Sequence, residues 1–164
     1  MFIDKVASKI MSLEDAKAWR GSLGEKGKKL VMTNGCFDII HRGHITYMMK
    51  ARELGDALII AINSDRFVRE LKGPGRPVIK ENDRAFIIAS LMFVDSIIVF
   101  DAKDCEKTIE EIKPDIYVKG ADYNLETMNQ PERAVLQRLG IHIEFISFIE
   151  GYSTTSIINK MISK

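Results

Sequence analysis

The sequence predicts an α/β fold, a doubly wound, five-stranded parallel sheet with helices on both faces, in a single domain. Three observations carry this expectation. Short apolar runs of strand length alternate with helical patterns along the whole chain, the order from which βαβ units build parallel sheets. One run, Ala57-Leu58-Ile59-Ile60-Ala61-Ile62, is apolar at every position, as a strand covered on both faces requires. The 164 residues suffice for one ordinary core and are few for two. Such a sheet is Rossmann-like, and its ligands bind beyond the carboxyl ends of the strands, where the strand order reverses.

Residues 1–24 read as an N-terminal helical appendage docked on a domain of residues 25–164. Ser12-Leu13-Glu14-Asp15 resembles a capping box opening a short helix, which the glycines at 21 and 24 should end. Lys29 to Thr33 is the first expected strand, followed by a helix from about Gly43 to Leu54. Gly55-Asp56 turns the chain into the second strand, Ala57 to Ile62. A short helix from Asp65 to Leu71 precedes Lys72-Gly73-Pro74-Gly75-Arg76-Pro77, whose glycines and prolines exclude regular structure. Helical spacing resumes from Asp83 to Phe93, and Ser96 to Phe100 is the third strand. Asp104 is placed to cap a helix bearing Cys105, Ile109 and Ile112 on one side and stopped by Pro114. Ile116 to Val118 is the fourth strand. Pro131 suits the first position of another helix, which Gly140 should terminate. Ile141 to Ile146 makes the fifth strand, and Ser153 or Thr154 caps the last helix.

Composition removes several function classes. Lys and Arg total 24 against 23 Asp and Glu, a formal charge of +1, so the chain lacks the overall field of a nucleic-acid or membrane binder. An anionic ligand must be met by a local cluster. Cys36 and Cys105, with no CxxC pattern, point to a reducing compartment rather than a disulfide framework. No apolar run approaches the ~18 residues of a membrane span, and the N-terminus lacks a signal-type apolar core. A cytoplasmic protein is expected.

The stretch TNGCFDIIHRGH, Thr33 to His44, holds two of the chain's three histidines. His41-x-Gly43-His44 falls where the first strand hands over to a helix. There Gly43 has no side chain to hold a ligand away, and the helix N-terminus offers free N–H groups and a positive dipole end to an anion. Two imidazoles at this point can hydrogen-bond phosphate oxygens and, if protonated, stabilise charge developing on phosphorus. An ordinary polar surface is the bland alternative; a zinc site is another, but no further Cys or His cluster completes a ligand set. The second constellation, Glu150-Gly151-Tyr152-Ser153-Thr154-Thr155-Ser156, groups hydroxyls at a helix start. Capping uses one of them, and the others remain available to an anion.

Asn63-Ser64-Asp65 ends the second strand, where an acid can accept from ribose hydroxyls or cap the next helix. Lys72 and Arg76 flank a loop suited to closing cations over a polyphosphate, although surface lysines more often serve only solvation. Lys119-Gly120-Ala121-Asp122-Tyr123 follows the fourth strand and can line the same pocket. Neither G-x-G-x-x-G after the first strand nor a P-loop motif is present, which removes the usual support for dehydrogenase and P-loop NTPase readings.

In their order, TNGCFDIIHRGH, NSDRFVRELKGPGRPV, DIYVKGADY and EGYSTTSII resemble the HxGH nucleotidyltransferase superfamily. Within it they look like the adenylyltransferases that make ADP-heptose from D-glycero-β-D-manno-heptose 1-phosphate for the lipopolysaccharide core. The resemblance covers about residues 25–162. It implies attack of a sugar-phosphate oxygen on the α-phosphorus of ATP, with pyrophosphate leaving on Mg2+ and no metal held by the protein itself. It further implies a catalytic set of His41, His44 and Lys72. Thr33, Gly35, Cys36, Phe37, Gly43, Asn63, Asp65, Lys119, Gly120, Ser153, Thr154 and Thr155 would hold the nucleotide and its phosphates. Asn34, Asp38, Arg76, Arg84, Asp122 and Tyr123 would hold the sugar phosphate. The related domain is often fused to a sugar kinase; here the kinase is expected as a separate protein, and a homo-oligomer is expected from relatives. Cytidylyltransferases for glycerol 3-phosphate carry Arg and Ile where this chain has Phe148 and Tyr152, which weakens that alternative. A nucleotide-binding module without catalysis is the remaining one.

Overall fold

The computed structural model describes residues 1–147, 149 and 151–163. Phe148 and Glu150, both singled out above, lie outside the described residues. Five parallel strands, β1 (Leu30–Gly35), β2 (Ala57–Asn63), β3 (Ser96–Phe100), β4 (Ile116–Gly120) and β5 (His142–Ile146), form one sheet in the order β3-β2-β1-β4-β5. The chain winds outward from β1 to β3, then returns to the other side of β1 for β4 and β5. The switch point therefore lies between β1 and β4, with Thr33 opposite Val118. Eight helices accompany the sheet among the described residues: α1 (Phe2–Ala7), α2 (Leu13–Glu25), α3 (Arg42–Arg52), α4 (Asp65–Lys72), α5 (Glu81–Ala89), α6 (Glu106–Ile112), α7 (Gln130–Arg138) and α8 (Thr154–Ile162).

Two apolar layers follow from the sheet's doubly covered faces. On one, Ala16 and Leu23 of α2, Ile109 and Ile112 of α6 and Val135 and Leu136 of α7 pack with Leu30, Met32, Ile59 and Tyr117. On the other, Tyr47, Met48 and Ala51 of α3 and Ala85, Ile88 and Ala89 of α5 pack with Val31, Leu58, Ile60, Ile62 and Val118. Every position of β2 is buried, as its uninterrupted apolar run requires. The N-terminal segment is stitched to the β3 edge: Met11 N donates to Ile97 O at 2.9 Å and Ile97 N to Lys9 O at 2.8 Å.

The helix expected to stop at the glycines runs through both. Ser12 caps it, its hydroxyl accepting from Asp15 N at 3.1 Å, but α2 continues to Glu25, and the positive φ that follows belongs to Gly27. A glycine inside a helix costs about 1 kcal/mol. Burial of Ala16 and Leu23 against the sheet outweighs that. Helix α5 also ends at Ala89, short of the expected Phe93. Cys105, not Asp104, is the N-cap of α6, and Asp104 reaches Glu106 N only at 3.4 Å. β1 and β4 extend past their apolar runs into Asn34-Gly35 and Lys119-Gly120, because these polar residues complete the ladder and then face the ligand end.

The opposite, amino end of the sheet is organised by three aspartates. Asp115 Oδ2 accepts from Leu30 N at 2.7 Å while Asp115 N donates to Leu30 O at 2.9 Å. Asp95 does the same with Leu58, at 2.8 Å and 3.0 Å. Asp56 pairs likewise with Lys29, at 2.8 Å in both directions. Each clamp satisfies backbone groups that the ladder leaves open at a strand's start.

Candidate active site

At the carboxyl end of β1, His41 adopts extended backbone as the N-cap of α3 (φ −140°, ψ 170°), and its Nδ1 accepts from His44 N at 3.4 Å. Its imidazole thus does the capping work usually left to Ser or Asp. The rings of His41 and His44 stack, with centroids 3.7 Å apart and planes 19° from parallel. Phe37 meets His44 edge-on at 5.4 Å, and Tyr152 stacks on the outer face of His41 at 6.0 Å. Gly43 makes this closure possible: a Cβ there would stand 2.9 Å from Tyr152 Cβ and 3.0 Å from His41 Nδ1.

Above the switch point a cleft of about 550 Å³ opens. It gathers Asn34, Gly35, Cys36, Phe37 and Asp38 from β1 and its loop, His41 and His44 from α3, and Asn63 from β2. Lys72 and Arg76 enter from one flank, Lys119 and Gly120 from β4, Asp122 and Tyr123 from the loop after it, and Ser153, Thr154 and Thr155 from the start of α8. Ser153 caps α8, its hydroxyl accepting from Ser156 N at 3.0 Å. The hydroxyls of Thr154 and Thr155 make no hydrogen bond with a described residue.

Four residues named from the sequence do not line the cleft. Gly43 lies directly behind the histidine pair. Thr33 is fully buried, its hydroxyl held by Tyr47 Oη at 2.8 Å and Val118 O at 3.0 Å. Arg84 is also fully buried and donates to the carbonyls of Ile79, Cys36 and Asn63 and to Asp65 Oδ1, the last at 2.9 Å. Asp65 Oδ1 is thereby held by Arg84, and the side chain stays 26% exposed. Arg84 is a strut under the strand ends. Arg76 is held differently: its Nε donates to Asp38, whose carboxylate also accepts from Val78 N and Ile79 N at 2.9 Å. Burial opposes the ionisation of Asp38, but these N–H groups and Arg76 together hold its carboxyl below the ordinary value.

Burial works against charge on the histidine pair in the unliganded protein. Burial, assisted by His41, pushes His44 down to about 4, and burial also lowers His41. In the unliganded protein near neutral pH, burial thus favours the uncharged imidazole of His44. Its Nδ1 faces the Ile39 carbonyl without closing a hydrogen bond. The Cys36 thiol is raised, chiefly by burial and against the pull of Lys72, Arg84 and Arg76, so it stays protonated. Both cysteines are free.

The depressed value has a stability consequence. Between about pH 6.5 and 4 the unfolded chain protonates at His44 while the folded chain does not. This contribution is complete above pH 6.5 and lost as pH falls toward 4, on the order of 3 kcal/mol at most. Thermal unfolding from pH 7 to 4.5 should show a steeper fall in Tm for the wild type than for His44→Gln; parallel curves would exclude it.

Sequence reasoning missed Glu132 and Lys103, both of which line the cleft. Lys103 follows β3 in an exposed loop, a position indistinguishable from ordinary surface. Glu132 looks like the acid of a capping pattern after Asn129, and Asn129 Oδ1 does accept from Glu132 N at 3.1 Å. Its carboxylate, however, turns into the sheet and is 3% exposed. Among the described residues no three His, Cys, Asp or Glu side chains cluster as metal donors, and no helix is long and apolar enough to cross a membrane.

The sequence profile of the cytidylyltransferase-like family matches residues 32–160. The bifunctional protein HldE of Citrifermentans bemidjiense is 47% identical over 138 residues, covering 84% of this chain and 28% of that protein. Its counterpart from Helicobacter pylori strain J99 is 44% identical over 161 residues, 98% of this chain and 33% of the relative. The chain thus spans about a third of the length of these curated relatives. A lipopolysaccharide core biosynthesis protein from Thermoplasma volcanium superposes with a TM-score of 0.63 at 33% identity, over 77% of this chain and all of the other. The pantoate-beta-alanine ligase of Francisella tularensis shares the fold, with a TM-score of 0.60 at 15% identity over 94% of this chain and 78% of that one.

Proposed function

Because the chain belongs to the cytidylyltransferase-like family, we propose that it transfers AMP from ATP to D-glycero-β-D-manno-heptose 1-phosphate, giving ADP-heptose and pyrophosphate. The observation that carries this reading is the convergence of His41, His44, Lys72 and the Ser153–Thr155 hydroxyls on one cleft. The similarity to the HldE proteins and to a lipopolysaccharide core biosynthesis protein supports the choice of a heptose phosphate.

A phosphate oxygen of the sugar attacks the α-phosphorus in line. The bond from that phosphorus to the α–β bridging oxygen breaks, and its electron pair leaves with pyrophosphate. Such transfer needs positioning and charge stabilisation more than a protein nucleophile. The α8 N-terminus, with Ser153, Thr154 and Thr155, holds the β- and γ-phosphates. His41 and His44 donate hydrogen bonds to the α-phosphate and the bridging oxygen as charge builds there, the negative charge of the bound triphosphate favouring their protonated form against burial. Lys72, which forms no ion pair with a described residue, supplies positive charge. Mg2+ bound to the ATP would supply further positive charge against that of the pyrophosphate.

A pyrophosphate-release screen of four nucleoside triphosphates against sugar and alcohol phosphates tests the reading. Release should require ATP, Mg2+ and heptose 1-phosphate together. Turnover of CTP with glycerol 3-phosphate instead would overturn it, and so would nucleotide binding without any turnover. In the same assay, Gly43→Ala should lower kcat/KM for ATP by about tenfold or more, because the new methyl displaces Tyr152 or tilts His41. An unchanged value would show that this close approach is dispensable.

A further inference from the structure

We propose that Glu132 is the positioning residue of the acceptor subsite, holding Lys119 and Asn34 so that each keeps one N–H free for an oxygen of the sugar phosphate. This rests on the function proposed above. The evidence is a count of donors and acceptors. Glu132 Oε1 accepts from Asn34 Nδ2 at 3.1 Å and from Cys105 N at 3.0 Å. Glu132 Oε2 pairs with Lys119 Nζ at 2.8 Å and lies 3.5 Å from Tyr117 Oη. An ionised carboxylate accepts about four hydrogen bonds. Three protein donors thus meet Glu132, since the single O–H of Tyr117 goes to Asn34 Oδ1 at 2.9 Å, and with its side chain 3% exposed the carboxylate serves these neighbours rather than a ligand.

The groups it holds are not saturated. Lys119 Nζ carries three N–H donors: one meets Glu132, and one meets Asn34 Oδ1 at 2.7 Å. The third has no acceptor among the described residues. Asn34 Oδ1 accepts from Lys119 and from Tyr117 Oη, the latter at 2.9 Å, and one hydrogen of Nδ2 goes to Glu132. The amide cannot be flipped, since an ammonium only donates and a carboxylate only accepts. Its second N–H is left over. Both Lys119 and Asn34 line the cleft at the ends of the two strands that flank the switch point, while Lys72 reaches it from the β2 side. The arrangement presents two N–H donors, one of them cationic, to a ligand oxygen.

A carboxylate that merely ties α7 to the sheet would affect stability and all kinetic parameters without preference. Glu132→Gln keeps the shape but removes the charge that holds Lys119. With ATP and the sugar phosphate varied separately, the KM for the sugar phosphate should rise about tenfold or more and that for ATP stay within about twofold. Glu132→Asp, which keeps the charge, should recover part of the loss. Adding inorganic phosphate to 15N-labelled wild-type protein should shift one side-chain amide proton of Asn34, and should shift neither in Glu132→Gln. The proposal falls if the acceptor KM is unchanged in Glu132→Gln, if both KM values rise together with a fall in Tm, or if phosphate shifts Asn34 equally in both proteins. If the accepted pair proves to be another triphosphate and another phosphate acceptor, the heptose reading fails, and the selective rise in acceptor KM is then measured with that acceptor.

Discussion

Replacing His44 by alanine is expected to lower kcat by roughly 100- to 1,000-fold, with the KM for ATP changed only a few-fold. That is the usual cost of removing one preorganised donor from a developing oxyanion. The asymmetry between kcat and KM follows from when the interaction forms, because a donor realised mainly in the transition state contributes little to ground-state affinity. His44 is preorganised for this by its surroundings. Its ring is stacked on His41 and walled by the edge contact with Phe37. Single-turnover kinetics and steady-state pyrophosphate release, alongside a melt to establish that the variant is folded, provide the measurement. Unaltered turnover would remove the histidine pair from the mechanism.

Replacing Arg84 by methionine is expected to destabilise the fold by about 3–5 kcal/mol, the range seen when one partner of a buried, hydrogen-bonded charge is lost. For a chain of this length that corresponds to a Tm lower by roughly 10 °C. Methionine fills much of the space but donates nothing. The carbonyls of Ile79, Cys36 and Asn63 and the carboxylate of Asp65 would all lose their donor. Lysine should fail nearly as badly, because one ammonium cannot reproduce the planar fork that reaches these separate acceptors. Thermal or urea denaturation decides it, and a Tm within 2–3 °C of wild type would show that Arg84 is not the strut described.

The layers were legible in the sequence because strand burial leaves a direct trace: the ALIIAI run can only be a strand covered twice. The cleft was legible where local motifs sit at strand ends, as with His41, His44 and Ser153. Three features were hidden for physical reasons. Helix α2 continues through Gly21 and Gly24 because burial of Ala16 and Leu23 overrides a local propensity that a single sequence displays without its context. Arg84 reads as a ligand group, since nothing local reveals that the carbonyls of two strand ends converge on its buried guanidinium. Glu132 was invisible because its partners, Asn34, Cys105, Tyr117 and Lys119, come from three other places in the chain, and its own neighbourhood mimics a helix cap.

The three aspartate clamps at the amino end of the sheet bear on how this fold can change. Asp56, Asp95 and Asp115 fix β1, β2, β3 and β4 against one another at their starts, so strand alignment is settled at the end remote from the cleft. Residues at the other rim are then released from that duty. A loop such as 121–129 can be lengthened, shortened or recoloured with new side chains without letting the strands slip. The sheet has a foot that keeps registry and a rim that is open to experiment, and descendants with altered substrates can arise on the rim while the foot stays as it is.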